Sequence, residues 1–135
     1  MIDFDYSEGD LIAYIKGEID HHFAKKLRSE LDMLMVQLVP TTLVLDLRGV
    51  SFMDSSGLGL VLGRYTKARA AGIDFSVVGC DRRVVRMFEM AGLERIVRIE
   101  QKKEGEKREG AGTELWRCAS SRSARASFAG GGGDV

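Results

Sequence analysis

The sequence predicts an α/β fold, helices packed on a largely parallel sheet, and three observations predict it. Short β-type apolar runs alternate with patterns of helical period over the first hundred residues. The run 41–47 is apolar on both faces, as strands inside parallel sheets are. The helical patterns between strands run 12–18 residues, long enough to cross from one parallel strand to the next.

Ile2–Tyr6 and Leu11–Glu18 read as strands joined by a hairpin turn at Ser7-Glu-Gly-Asp10. Asp20 then caps a helix whose Phe23, Leu27, Leu31, Leu34 and Leu38 recur at steps of three and four. Lys25, Lys26, Ser29, Glu30 and Asp32 form its solvated face, and Pro40 stops it. Thr41–Leu47 is the central strand. A second helix spans Ser56–Ala71, with Leu58, Val61, Leu62, Tyr65 and Ala68 on one stripe, and Gly72 closes it. Ile73–Val78 is a strand. Asp81 caps a third helix with Val84, Phe88 and Ala91 inward, Gly92 ends it, and Ile96–Ile99 is the last strand.

Charge divides the chain. Residues 1–100 hold 13 Lys/Arg against 15 Asp/Glu, and residues 101–135 hold 7 against 5, so a net −2 precedes a net +2. The second stretch also holds 7 of the 16 glycines and few large apolar residues, too few to offset an ordering cost of roughly 1–2 kcal/mol per residue. A single domain over 1–101 and a disordered Gly/Ser/Arg-rich tail over 102–135, with at most a helical turn near 113–119, is the expectation. A zero charge sum lacks the basic footprint of a nucleic-acid binder. Neither a signal peptide nor an apolar run of ~18 residues is present, which implies a cytoplasmic protein without a membrane segment. Cys80 and Cys118 form no CxxC and have no partners at metal-ligand spacing, so neither a metal nor a cofactor is expected.

Chemistry concentrates in 46–63, where a buried strand ends near Leu47, a loop carries Phe52 and Met53, and Asp54-Ser-Ser-Gly57 opens a helix. Two capping residues and nothing more would account for Asp54 and its serines. Gly57, Gly59 and Gly63 argue for more, because a glycine inside a helix costs roughly 0.8–1.0 kcal/mol against alanine. Their presence points to close backbone approach, by the sheet or by a partner. Phe52 and Met53 beside hydroxyls point to a contact surface, with at least one of the two buried beneath the helix.

Three functions fit parts of this pattern. A dinucleotide site would want GxGxxG in the turn straight after the strand, but the spacing is GxGxxxG and begins ten residues later. A serine nucleophile at Ser55 or Ser56 with His21 or His22 as base lacks GxSxG and an orienting carboxylate. A regulatory phosphoserine needs only an exposed hydroxyl at a helix start. There the dipole favours phosphate by roughly 0.3–1 kcal/mol, while an added charge of about −1.5 to −2 opposes burial in an interface.

The stretch Ser51-Phe-Met-Asp-Ser-Ser-Gly-Leu-Gly59, continued to Tyr65, resembles the anti-sigma F factor antagonists of spore-forming bacteria, members of the STAS-domain family of anti-anti-sigma factors. Gly17-Glu-Ile-Asp-His-His22, Arg86–Leu93 and Ile96–Gln101 add to the resemblance, which covers residues 1–101. It implies a small mixed sheet of about five strands packed by three to four helices and a non-enzymatic switch. The unphosphorylated form binds an anti-sigma factor that is also a serine kinase, so the sigma factor is freed for transcription in sporulation. The kinase phosphorylates the second serine of the motif, here Ser56, and a metal-dependent serine phosphatase reverses this. Asp20, His21 and His22 match the family's loop beside the phosphosite. They join Asp54, Ser55, Ser56, Gly57, Leu58 and Gly59 as the expected partner surface. The family ends in a helix soon after the position of Gln101, whereas this chain continues into its Arg/Ser/Gly-rich tail. Two alternatives stay open: a STAS module regulating another partner in a stress-signalling assembly, and a nucleotide-binding domain.

Overall fold

The structure, a computed structural model, describes residues 2–102. The tail expected over 102–135 and its helical turn lie outside the described residues, Lys102 excepted. Among the described residues a five-stranded mixed sheet carries three helices. The order along the chain is β1 (Asp3–Ser7), β2 (Asp10–Ile19), α1 (His21–Leu38), β3 (Thr42–Met53), α2 (Ser55–Ala70), β4 (Asp74–Cys80), α3 (Arg82–Met90), a 3-10 turn at Leu93–Arg95, and β5 (Arg98–Gln101). Spatial order equals chain order, β1 pairing antiparallel with β2 and every later pair parallel.

The hairpin closes as its sequence requires. Ser7 pairs with Asp10 across a two-residue turn in which Glu8 and Gly9 have φ of 53° and 86°. Two positive φ angles make the turn whose twist matches that of the flanking strands. β3 is central, and successive residues serve opposite faces. Leu11, Ala13, Ile15, Leu43, Leu45, Leu47 and Val77 join Leu27 and Leu31 of α1, Leu60 and Val61 of α2, and Phe88 of α3 in one core. Ile12, Tyr14, Val44 and Val78 form a second, small apolar cluster on the other face.

Several elements differ from the sequence reading for identifiable reasons. The expected loop after Leu47 is strand: β3 runs to Met53, paired with β2 through two bulges. Asp46 is what allows this, because it neutralises and hydrogen-bonds the otherwise unburiable Arg48. Asp32 is not on a solvated face. It sits half-buried between α1 and α2, with Arg64 Nε at 3.2 Å and Lys67 Nζ at 3.1 Å. Burial lowers the Arg64 pKa and Asp32 opposes that shift. Leu62 is exposed while Leu60 is buried, since Gly57, Leu60, Val61, Arg64 and Ala68 face inward. Ala91 lies outside α3 and is exposed, and the last strand begins at Arg98 because Leu93–Arg95 forms a 3-10 turn.

Candidate functional site

At the C-terminal rim of the parallel strands, one arrangement occurs three times. A strand ends, an aspartate leaves it in extended conformation, and a helix begins. The junctions are Ile19–Asp20–His21, Met53–Asp54–Ser55 and Cys80–Asp81–Arg82. Each aspartate caps its helix: Asp20 Oδ1 accepts from Phe23 N at 2.9 Å, Asp54 Oδ1 from Ser56 N at 2.8 Å, and Asp81 Oδ1 from Val84 N at 2.9 Å. The first two junctions are neighbours, because Ile19 pairs with Met53 and Asp54 N donates to Ile19 O at 3.2 Å. The rim therefore brings Asp20, His21 and His22 alongside Asp54, Ser55 and Ser56. More than thirty residues separate these groups along the chain, and the register of two strands joins them.

The cap at α2 differs from the other two in a way that bears on Ser56. Asp20 and Asp81 reach the third helical residue, whereas Asp54 reaches the second, which is Ser56 itself. The helix is thus capped by Asp54 through the Ser56 backbone, and no hydrogen bond among the described residues engages the Ser56 hydroxyl. The fold does not consume that hydroxyl. A phosphate there would meet the favourable helix dipole and the nearby Asp54 carboxylate together. Ser55 is exposed and Ser56 half-buried, both in the first turn of α2.

The three helical glycines separate into two kinds. A Cβ on Gly57 would run into Cγ and Sδ of Met53, the buried residue that ends β3, so the close approach expected from the sequence is made here, by the sheet. A Cβ on Gly59 or Gly63 would meet nothing within 4 Å. Overpacking a buried contact costs roughly 1–3 kcal/mol. An alanine in open helix gains up to about 1 kcal/mol over glycine. Gly59→Ala is therefore expected to raise the urea midpoint, and Gly57→Ala to fall below Gly59→Ala by about 1–3 kcal/mol. If the two alanine variants unfold together, the Met53 contact does not hold the helix start in place.

Among the described residues no base hydrogen-bonds the side chain of Ser55 or Ser56. His21 and His22 are both exposed, edge to face with ring centroids 6.0 Å apart, and among the described residues no hydrogen bond ties either to a serine or a carboxylate. Burial, then the carboxylates of Asp81, Asp46 and Glu100, push the Cys80 thiol far above its usual range, so it stays protonated. Among the described residues no group of His, Cys, Asp and Glu could hold a metal ion, and no helix is long and apolar enough to cross a membrane. Sequence reasoning did not include Arg82 and Arg83 in the site. The signal was available: Ile-Asp-His-His, Met-Asp-Ser-Ser and Cys-Asp-Arg-Arg are three copies of one strand–cap–pair pattern.

The STAS domain model matches residues 1–105. An anti-sigma F factor antagonist from Paenibacillus polymyxa is 36% identical over 99 residues, which is 73% of this chain and 85% of that protein. An anti-sigma-B factor antagonist from Bacillus subtilis (strain 168) is 35% identical over 104 residues, 77% of this chain and 94% of that protein. Among solved structures, the anti-sigma factor antagonist SpoIIAA in its unphosphorylated form superposes with a TM-score of 0.66 at 27% identity, over 77% of this chain and 90% of that one. The Bacillus cell fate determinant SpoIIAA in its phosphorylated form gives 0.62 at 26% identity, over 77% and 93%.

Proposed function

The chain belongs to the STAS domain family, and from that premise we propose that it is an anti-sigma factor antagonist switched at Ser56. In its unphosphorylated form it binds an anti-sigma factor that is also a serine kinase, and the sigma factor is released for transcription. The kinase transfers the γ-phosphoryl group of ATP to Ser56, the complex separates, and a metal-dependent serine phosphatase returns the protein to its binding form. This is regulation without catalysis by the chain itself, as in its antagonist relatives.

The observation that carries the reading is the Asp54 cap on Ser56 N at 2.8 Å. It fixes Ser56 in the first turn of α2 by its backbone and leaves its hydroxyl for chemistry. Asp20, His21, His22, Ser55, Leu58 and Gly59 surround that turn as the contact surface, and Gly59 is bare enough for a partner's backbone to come close. Similarity to SpoIIAA in both its unphosphorylated and its phosphorylated form supports a fold that survives the modification. Incubation with the cognate kinase and ATP, followed by peptide mass spectrometry, should place one phosphate on Ser56. A phosphate on Ser55 or Ser51 instead, or none, overturns the assignment. The curated relatives act on sigma-F and sigma-B systems, so binding to each purified anti-sigma factor identifies the one that this chain antagonises.

A further inference from the structure

The third junction of the rim carries Arg82 and Arg83 where α1 carries His21–His22 and α2 carries Ser55–Ser56. Arg82, Arg83 and Arg86 are all exposed. Helix stability does not call for them, because cations at the N-terminal end oppose the macrodipole. Arg83 leans toward β3, its Nη2 donating to Ser51 O at 3.4 Å. At that point β3 has outrun its neighbour: the ladder to β4 ends at Asp46↔Val78, and β3 continues to Met53. Two cations stand along the edge that no described strand covers, Lys102 Nζ on Arg48 O at 3.2 Å and Arg83 on Ser51 O. Between Ser51 and the Asp54 cap lies Phe52, 46% exposed and in neither apolar cluster, while Met53 beside it is buried.

We propose that this edge, with Phe52 at its centre and Arg83 beside it, is the second half of the surface that holds the anti-sigma factor. The Phe52 ring enters an apolar pocket of that partner, and the arginines face its carboxylates. The inference rests on the reading of the Ser56 site and extends it across the rim. Continuity commits the occupant: Phe52 is two residues from the cap of α2, so a partner covering the first turn of α2 covers the ring as well. Aromatic rings and arginines are the residue types that interfaces enrich and that dominate their binding energy. The carboxylates close by are Glu18, paired with Phe52 across β2, and Asp54 and Asp81, engaged as helix caps with Ser56 N and Val84 N. Arg82, Arg83 and Arg86 are exposed at the start of α3, so that side of the edge attracts an acidic surface.

The test uses the full chain and its cognate anti-sigma factor, with equilibrium affinity and association rate measured for four variants. Phe52→Ala is expected to weaken binding about thirtyfold. Arg83→Glu is expected to weaken it about tenfold and to flatten the salt dependence of association. Val36→Ser, at an exposed position in the last turn of α1, should bind like the wild type. Ser56→Asp tests the underlying reading separately. If Ser56→Asp releases the partner while Phe52→Ala and Arg83→Glu both bind within about threefold of wild type, the extension is wrong and the switch stands. If the wild type does not bind the anti-sigma factor, both fall. If Phe52→Ala lowers the melting temperature, Arg83→Glu decides alone, because its side chain is exposed and its replacement leaves the core intact.

Discussion

Ser56→Asp is expected to weaken binding to the anti-sigma factor about a hundredfold or more while the protein stays folded. Burying an uncompensated charge costs several kcal/mol, and each 1.4 kcal/mol or so is tenfold in affinity. The charge would sit beside Asp54, whose carboxylate already holds Ser56 N at 2.8 Å, so an interface formed over this turn would have to desolvate two like charges together. In the free protein both positions are half-buried and keep access to water. There the helix dipole favours the new carboxylate by roughly 0.3–1 kcal/mol and the repulsion from Asp54 offsets it. The melting temperature should therefore move by less than about 5 °C, which is on the order of 1 kcal/mol for a domain of this size. Calorimetric titration and a thermal melt on one sample separate the two effects. A variant that unfolds shows that the residue serves the helix start, and one that binds normally shows that charge at this turn is not the switch.

The largest effect on stability is expected from Arg48→Met. Arg48 and Asp46 have fully buried side chains, joined by Nη2–Oδ2 at 2.8 Å and by Nε to both carboxylate oxygens at 3.1 and 3.2 Å. The Arg48 backbone N–H also donates to Asp46 Oδ1 at 3.0 Å. Removing the guanidinium strands a carboxylate in the interior, at a cost of about 3–5 kcal/mol. That corresponds to a fall of about 15–30 °C in melting temperature. Arg48→Lys should recover little, since a point ammonium cannot reproduce the fork. The pair Asp46→Leu with Arg48→Met should recover most of the loss, because neither charge is then left alone. If the double variant is no more stable than Arg48→Met, then the packing of the arginine, and not its charge, is what the sheet needs. Gly79 belongs to this unit: its φ is +74°, and a Cβ there would strike Arg48 Cγ. Gly79→Ala is disfavoured twice over, by backbone conformation and by collision.

The same pair explains what could and could not be read from the chain. Asp20 and Asp81 were legible as caps because a side-chain oxygen before an apolar periodic run has one common local use. The central strand was legible from continuous apolar residues, and the hairpin from Glu8-Gly9. The extension of β3 was not, since Arg48, Gly49 and Ser51 interrupt the apolar pattern and are tolerable only through contacts that no local window contains. Those contacts are the Lys16 side chain against which Gly49 packs and Arg83, while the Asp46 carboxylate, two residues from Arg48, shows its role only once both side chains are buried. Around Ser56 the sequence marked the residues but not their division of labour. It grouped three glycines, and only Gly57 proves to be pressed against the sheet. Capping was one reading open to Asp54 and its serines, and Asp54 alone performs that task. Phe52 and Met53 divide as their alternation along a strand requires, one outward and one inward.

The triple strand–aspartate–helix junction has a consequence for how such a surface can diverge. At each junction the aspartate ends the strand and starts the helix, and the two residues after it face the outside. Architecture and address are thereby written in different letters. The first two pairs stand side by side through Ile19↔Met53 and the third is set back where β4 ends at Cys80, so the strands fix where each pair stands. Histidines, serines or arginines can be exchanged at any one of the three without moving the other two. A duplicated copy could acquire a different partner by changing a few letters of the address, with every word of the architecture kept.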